Sequence, residues 1–155
     1  MGISHIFLKM AAEAARSLPE SWIQAIYRNP RLARLIRGQL NRAAPHGLVQ
    51  VQVAAGGLEG VSLELDLQTE KDYWLGIYEP DLQRVIKDFI KPGWVVYDVG
   101  ANIGYISLLL AHAVQDSGQI YAFEALPDNF TRLQKNIGLN AFEDRITAIH
   151  AAVID

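Results

Sequence analysis

The feature that most restricts this chain is Val95-Val-Tyr-Asp-Val-Gly-Ala-Asn-Ile-Gly104, a short apolar run that reaches an acid and then breaks into a glycine-bearing turn. Five residues are too few for a buried helix, and the β-branched Val95, Val96 and Val99 suit a strand covered by its neighbours. Gly100 allows a sharp backbone turn, and Gly104 a second close approach one helical turn later, so neither position is expected to accept a large side chain. Ile103 to Val114 reads as a helix, Ile120 to Glu124 as a second strand after the Gly118 turn, and Asp128 to Leu139 as a helix burying Phe130, Leu133 and Ile137. Ile146 to His150 reads as a third strand. Such alternation with short links implies an α/β fold with a Rossmann-like, doubly wound parallel sheet, because parallel neighbours need a right-handed crossover.

Ahead of this segment, Leu82, Val85, Ile86, Phe89 and Ile90 recur at helical spacing behind Pro80, which suits a first turn. Further upstream the period is two. Val49, Val51 and Val53 oppose Gln50 and Gln52, a turn follows at Gly56, Gly57 and Gly60, and Val61, Leu63, Leu65 and Leu67 oppose Ser62, Glu64 and Asp66. This predicts a β-hairpin with one buried face. Residues 3–17 and 20–42 favour helices interrupted at Pro19 and Pro30, with apolar positions at Trp22, Ile23, Ile26, Leu32, Leu35 and Ile36. Pro45 and Gly47 end that stretch, so the expected organisation is a helical arm, 1–47, and a domain, 48–155.

At 155 residues, half of them apolar, the chain can bury one core, and without cysteine it has neither disulfides nor thiolate metal ligands. The net charge of −3 hides a division: residues 1–47 hold seven Lys/Arg against Glu13 and Glu20, while 48–155 hold seven against fifteen acids. The basic arm is a candidate for peripheral contact with a membrane surface or a protein, or else a solvated pair of helices. Nucleic acid is not expected as a partner. Ile6 to Leu8 is too short for a signal-peptide core, and no apolar run approaches the ~18 residues of a membrane span, so a soluble cytoplasmic chain is expected.

Open α/β sheets place ligands at the carboxyl ends of their strands, which puts the site at Asp98 and the turn behind it. A dinucleotide fingerprint would need glycine at 100, 102 and 105, where this chain has Gly100, Asn102 and Tyr105. The looser acidic-x-Gly-x-Gly-x-Gly turn of class I methyltransferases fits instead, Asn102 replacing the central glycine as the residue that best tolerates left-handed geometry. The cofactor is then S-adenosyl-L-methionine. Asp98 can accept from its ammonium group, while backbone N–H groups of the 100–104 turn, Ala101 among them, and the Asn102 amide face its carboxylate. Glu124, 20 residues past Gly104 at the next strand end, can take both ribose hydroxyls. The plainer alternatives are an Asp that caps the turn and a Glu that is merely solvated. His112 reads as a core histidine, His150 as a strand-end residue within reach of the adenine, and Trp74, Tyr78 and Tyr105 as packing residues; no residue is assigned as the general base.

In order and spacing, Gly76-Ile-Tyr-Glu-Pro80, Lys91-Pro-Gly93, Tyr97-Asp-Val-Gly-Ala-Asn-Ile-Gly-Tyr105 and Ala122-Phe-Glu-Ala-Leu-Pro-Asp-Asn129 resemble the FkbM methyltransferases, over about residues 70–155. That resemblance implies O-methylation of a small-molecule or glycan hydroxyl, on a sugar or natural product, with Glu79 near the methionine end of the cofactor; helix capping is the alternative role for Glu79. The family's sheet has seven strands, so the resemblance covers its first β-α-β-α-β half, a C-terminally truncated domain whose exposed strand edge invites oligomers. The competing reading is a catalytically silent cofactor-binding or interaction module that needs a partner chain. An NAD-linked oxidoreductase is disfavoured by the glycine pattern.

Overall fold

The computed structural model describes residues 3–18, 22 and 28–154. The chain divides into two compact units, residues 1–60 with 65–78, and residues 61–64 with 79–155.

In the first unit, α1 (Ile3–Ser17) packs against α2 (Pro30–Ala43). The start of α2 is set by Asn29, whose Oδ1 accepts from the backbone N–H groups of Arg31 at 3.2 Å and Leu32 at 3.3 Å, with Pro30 in the first turn. Of the apolar positions expected in this arm, Ile23 and Ile26 lie outside the described residues. Trp22 and Leu35 are 65% and 66% exposed, and among the described residues of α2 Leu40 is buried. β1 (Leu48–Gln52) and β2 (Ser62–Asp66) form the expected two-stranded sheet, with a short 3-10 turn at Gly56–Leu58 between them. Leu63 and Leu65 are fully buried while Glu64 between them is half-buried, as a period of two requires. The four-residue helix α3 (Lys71–Trp74) has no counterpart in the sequence reading.

The second unit runs α4 (Pro80–Phe89), β3 (Val95–Val99), α5 (Tyr105–Val114), β4 (Gln119–Glu124), α6 (Pro127–Gly138) and β5 (Ile146–His150). The strands are parallel in the order β3-β4-β5, with Val96, Ile120 and Ile146 in register and Asp98 level with Ala122 and Ala148. The expected α/β fold is therefore present. Ile120, Ala122 and Ile146 are buried on the side where α5 and α6 pack. The alternate residues form an aromatic row on the other side, Tyr97 lying 5.5 Å from Tyr121 and 6.2 Å from Phe123 between ring centroids.

Two local readings change. Helix α5 starts at Tyr105 rather than Ile103, because Asn102 and Gly104 take positive φ (52° and 94°) and extend the turn. On α4 only Ile86 is buried, and Val85 and Phe89 of its apolar stripe stay exposed. Residues 62–64 are fixed to α6: Asn140 Oδ1 accepts from Ser62 N–H at 2.9 Å, Asn136 Oδ1 from Glu64 N–H at 2.8 Å, and Lys135 pairs with the Glu64 carboxylate. Among the described residues, no helix is long and apolar enough to cross a membrane.

Candidate cofactor site

The turn after β3 is hooked to the end of β4. The N–H groups of Gly100 and Ala101 both donate to the Phe123 carbonyl at 2.9 Å, and Gly104 N–H closes the turn on Ala101 O at 2.9 Å. Gly100, Asn102 and Gly104 all have positive φ, so asparagine occupies the left-handed place assigned to it from sequence. Glu124 is only 6% exposed. Its Oε2 accepts from Asn102 N–H and its Oε1 from Leu126 N–H, each at 2.8 Å, so this carboxylate is a buried clasp on the turn and not a solvated strand end. Each oxygen keeps a second acceptor site for a ligand hydroxyl.

Asp98 stands at the end of β3, and its Oδ2 accepts from the Ser107 hydroxyl at 2.5 Å, a contact to α5 rather than to the turn backbone. Burial pushes its carboxyl above the ordinary carboxylate range, the Ser107 hydrogen bond opposes this, and the Glu124 charge adds to the rise. A cation placed here would relieve both the desolvation and the repulsion between the two acids.

Two residues that the sequence reading passed over hold this arrangement. Ser107 is fully buried. Asn136 is also fully buried and spans the loop and β2, its Nδ2 donating to Ile103 O at 2.8 Å while its Oδ1 accepts from Glu64 N–H. The available signals were a lone serine inside the apolar run Ile106 to Ala111 and an asparagine three residues after Leu133 on the inner face of α6.

The structure places the other candidates as follows. Glu79 is exposed at the N-cap of α4 with φ 45°, and its side chain makes no capping hydrogen bond, which removes the capping role. One turn further on, the Gln83 amide donates to the Tyr105 hydroxyl at 3.4 Å, so α4 and α5 begin side by side. Tyr105 is buried, and burial drives its phenol pKa upward against that hydrogen bond. His112 is not a core residue: α5 turns it outward, where its ring meets Phe142 edge-on at 5.1 Å. His150 is level with Glu124 on the next strand, stacks on Phe130 at 4.7 Å and, with Nε2 protonated, donates to Ala125 O at 3.2 Å. Leu126, 61% exposed, adds an apolar surface beside Glu124. Trp74 is buried in the first unit, where Tyr78 packs on Tyr73 at 4.3 Å.

These residues fit S-adenosylmethionine: two carboxylates for its ammonium and ribose, backbone donors in the turn, apolar surface near Glu124, and no atom within 4 Å of where a Gly100 Cβ would stand. The family model of the TRM5/TYW2 methyltransferase domain matches residues 59–155. The chain belongs to this family. The TRM5/TYW2 assignment replaces the FkbM resemblance, while the class I methyltransferase fold and the S-adenosylmethionine expectation stand. Within that resemblance, Gly100, Asn102, Gly104 and Glu124 are what such a turn needs for positive φ and for clasping, so they do not report the acceptor.

Among solved structures, Pyrococcus horikoshii TYW2 in complex with MeSAdo aligns with TM-score 0.53 and 18% identity over 97% of this chain and 64% of that protein. A transferase from Pyrococcus horikoshii aligns at 0.54 and 18% over 94% and 63%, and Methanocaldococcus jannaschii Trm5 in complex with adenosine at 0.50 and 21% over 69% and 30%. At these identities the likeness concerns the fold, and the chain spans less than two thirds of each protein's length. No curated protein matches the chain. TRM5/TYW2 proteins act on tRNA, which overturns the expectation of a small-molecule or glycan acceptor without nucleic acid. O-methylation of a sugar or natural product has no support.

Proposed function

We propose that this chain is the cofactor-binding part of an S-adenosylmethionine-dependent methyltransferase that acts on tRNA in the cytoplasm, residues 48–155 forming the methyltransferase domain and 1–47 a helical arm. The observation that carries the reading is the Glu124 clasp on the Asp98–Gly104 turn, inside a segment matched along its length by the TRM5/TYW2 family. Bound there, the cofactor supplies an electrophilic methyl group on a sulfonium, which leaves with sulfur keeping the electron pair. The protein's part is alignment. Asp98 receives the ammonium, the N–H groups of the turn and the Asn102 amide face the carboxylate, and Glu124 accepts from the ribose hydroxyls. Glu79 would face the methionine end, and Leu126 with the Phe130–His150 stack would border the adenine.

The test is calorimetric titration of S-adenosylmethionine into the chain, followed by transfer of labelled methyl to bulk tRNA. Micromolar to millimolar binding with label in RNA is the expected result. Absence of binding at millimolar cofactor would remove the reading.

The raised Asp98 pKa gives the binding a pH dependence of definite sign. The ammonium favours ionised Asp98, so where the free protein holds a proton there, binding must release it. Affinity should therefore rise as pH increases through the Asp98 pKa and level off above it, in titrations upward from about pH 4, near the unperturbed carboxylate value. Ser107→Ala removes the one hydrogen bond that lowers this pKa and should shift the rise to higher pH. Asp98→Asn should flatten it. An unchanged profile in both variants would separate Asp98 from the cofactor.

A further inference from the structure

Between Ser21 and Leu58 the chain holds Arg28, Arg31, Arg34, Arg37 and Arg42 and no aspartate or glutamate. Most of this charge falls on α2, which lies outside the 59–155 family match. Arg31, Arg34, Gly38 and Arg42 are all exposed, and at 100° per residue they share the side of α2 turned away from buried Leu40. From Arg31 to Arg42 this row extends about 16 Å along the axis. Gly38 interrupts it with no side chain and nothing within 4 Å of a Cβ position, a low point between Arg34 and Arg42.

Four described acids of the same unit, Glu13, Glu59, Asp66 and Glu70, are engaged elsewhere. Arg16 pairs with Glu13 at 3.3 Å and with Glu59 at 2.8 Å, and the Asp66 and Glu70 carboxylates accept from the backbone of residues 66–68. Among the described residues no ion pair involves Arg28, Arg31, Arg34 or Arg42. The helix is also held firmly. Lys71 donates to the Asn41 side chain, and Gln68 Nε2 to the carbonyls of Asn41 at 3.0 Å and Ala44 at 3.1 Å.

We infer that this face of α2 is a docking surface for the phosphate backbone of the RNA substrate. The inference rests on the tRNA reading above and assigns to the arm a role that the methyltransferase domain does not carry. A row of exposed guanidiniums on one anchored helix that carries no acid suits phosphates, which arginine binds in a bidentate manner. A membrane-lying helix would need a broad free apolar face, whereas α2 has Leu40 buried and only Leu32 and Leu35 exposed among its leucines.

The test compares the full chain with its Arg31→Gln/Arg34→Gln/Arg42→Gln variant, using filter binding of labelled bulk tRNA between about 50 and 200 mM salt. The expected result is weaker binding, with the slope of log affinity against log salt shallower by about two to three, and unchanged S-adenosylmethionine affinity. The corresponding triple Arg→Lys variant should keep most of the slope, which separates charge from helix damage. If the wild-type chain binds tRNA and the glutamine variant binds it with the same slope, the arm inference fails and the substrate reading stands. If the wild-type chain binds the cofactor but not tRNA, both fail. Arginine-dependent binding to phosphatidylserine vesicles, with tRNA binding independent of these arginines, would assign the face to a membrane and overturn the inference.

Discussion

With Glu124 replaced by alanine, S-adenosylmethionine affinity is expected to drop at least about tenfold and the unfolding transition to move down, because one buried carboxylate serves both ligand and loop. Losing a charged hydrogen-bond partner to the ribose weakens binding by about 1.5 to 3 kcal/mol. The same change leaves the N–H groups of Asn102 and Leu126 without their acceptors. Both bonds are half-buried, so water can take over part of each, and a net loss of about 1 to 3 kcal/mol is expected. Urea denaturation with and without cofactor measures both effects. Glu124→Gln should recover some stability through its remaining oxygen while its NH2 opposes one backbone N–H. If Glu124→Ala binds and melts like the wild type, the clasp has no function and the site assignment falls with it.

Gly104→Ala is expected to be destabilising by about 2 to 5 kcal/mol, the sum of a left-handed backbone and an overpacked core. The φ of Gly104 is 94°, and a Cβ there would stand 2.8 Å from Leu133 Cδ1 and 3.9 Å from its Cα. Leu133 is fully buried, so its side chain has no free volume into which to retreat. Gly100 makes the control. Its φ of 85° carries the same backbone strain, but the space beside it is open, so Gly100→Ala should lose only about 1 to 2 kcal/mol of stability. Its methyl would stand where the cofactor approaches the turn, so its binding should suffer more than its folding. Equal stability losses in the two variants, or wild-type cofactor affinity in Gly100→Ala, would contradict this division.

The turn after β3 was legible because its demands are local. A backbone at positive φ in three places within five residues admits glycine or asparagine, and Gly100, Asn102 and Gly104 satisfy that in the sequence itself. The strand-end positions of Asp98 and Glu124 were legible from the lengths of the apolar runs before them. The acceptor was not, and the FkbM resemblance misdirected it for a physical reason: related turns that hold one cofactor share these residues whatever the methyl is passed to. Ser107 and Asn136 escaped because their partners are remote along the chain. Ser107 meets Asp98 across nine residues, and Asn136 meets Ile103 across 33 and Glu64 across 72.

Sequence alone determined the succession of strands and helices, the left-handed turn and its acids, and the concentration of arginine before residue 48. Only the tertiary structure decided which apolar stripes are covered: Ile86 is buried but Val85 and Phe89 of the same helix are not, Ile120 lies under helices while Tyr97 stays 65% exposed, and His112 faces outward. It also turned Glu124 from an acid at a strand end into a clasp. Periodicity records how side chains point relative to one another along an element, and φ preference is a property of the residue itself. What stands opposite a face depends on contacts between segments far apart in the chain, which neither property contains.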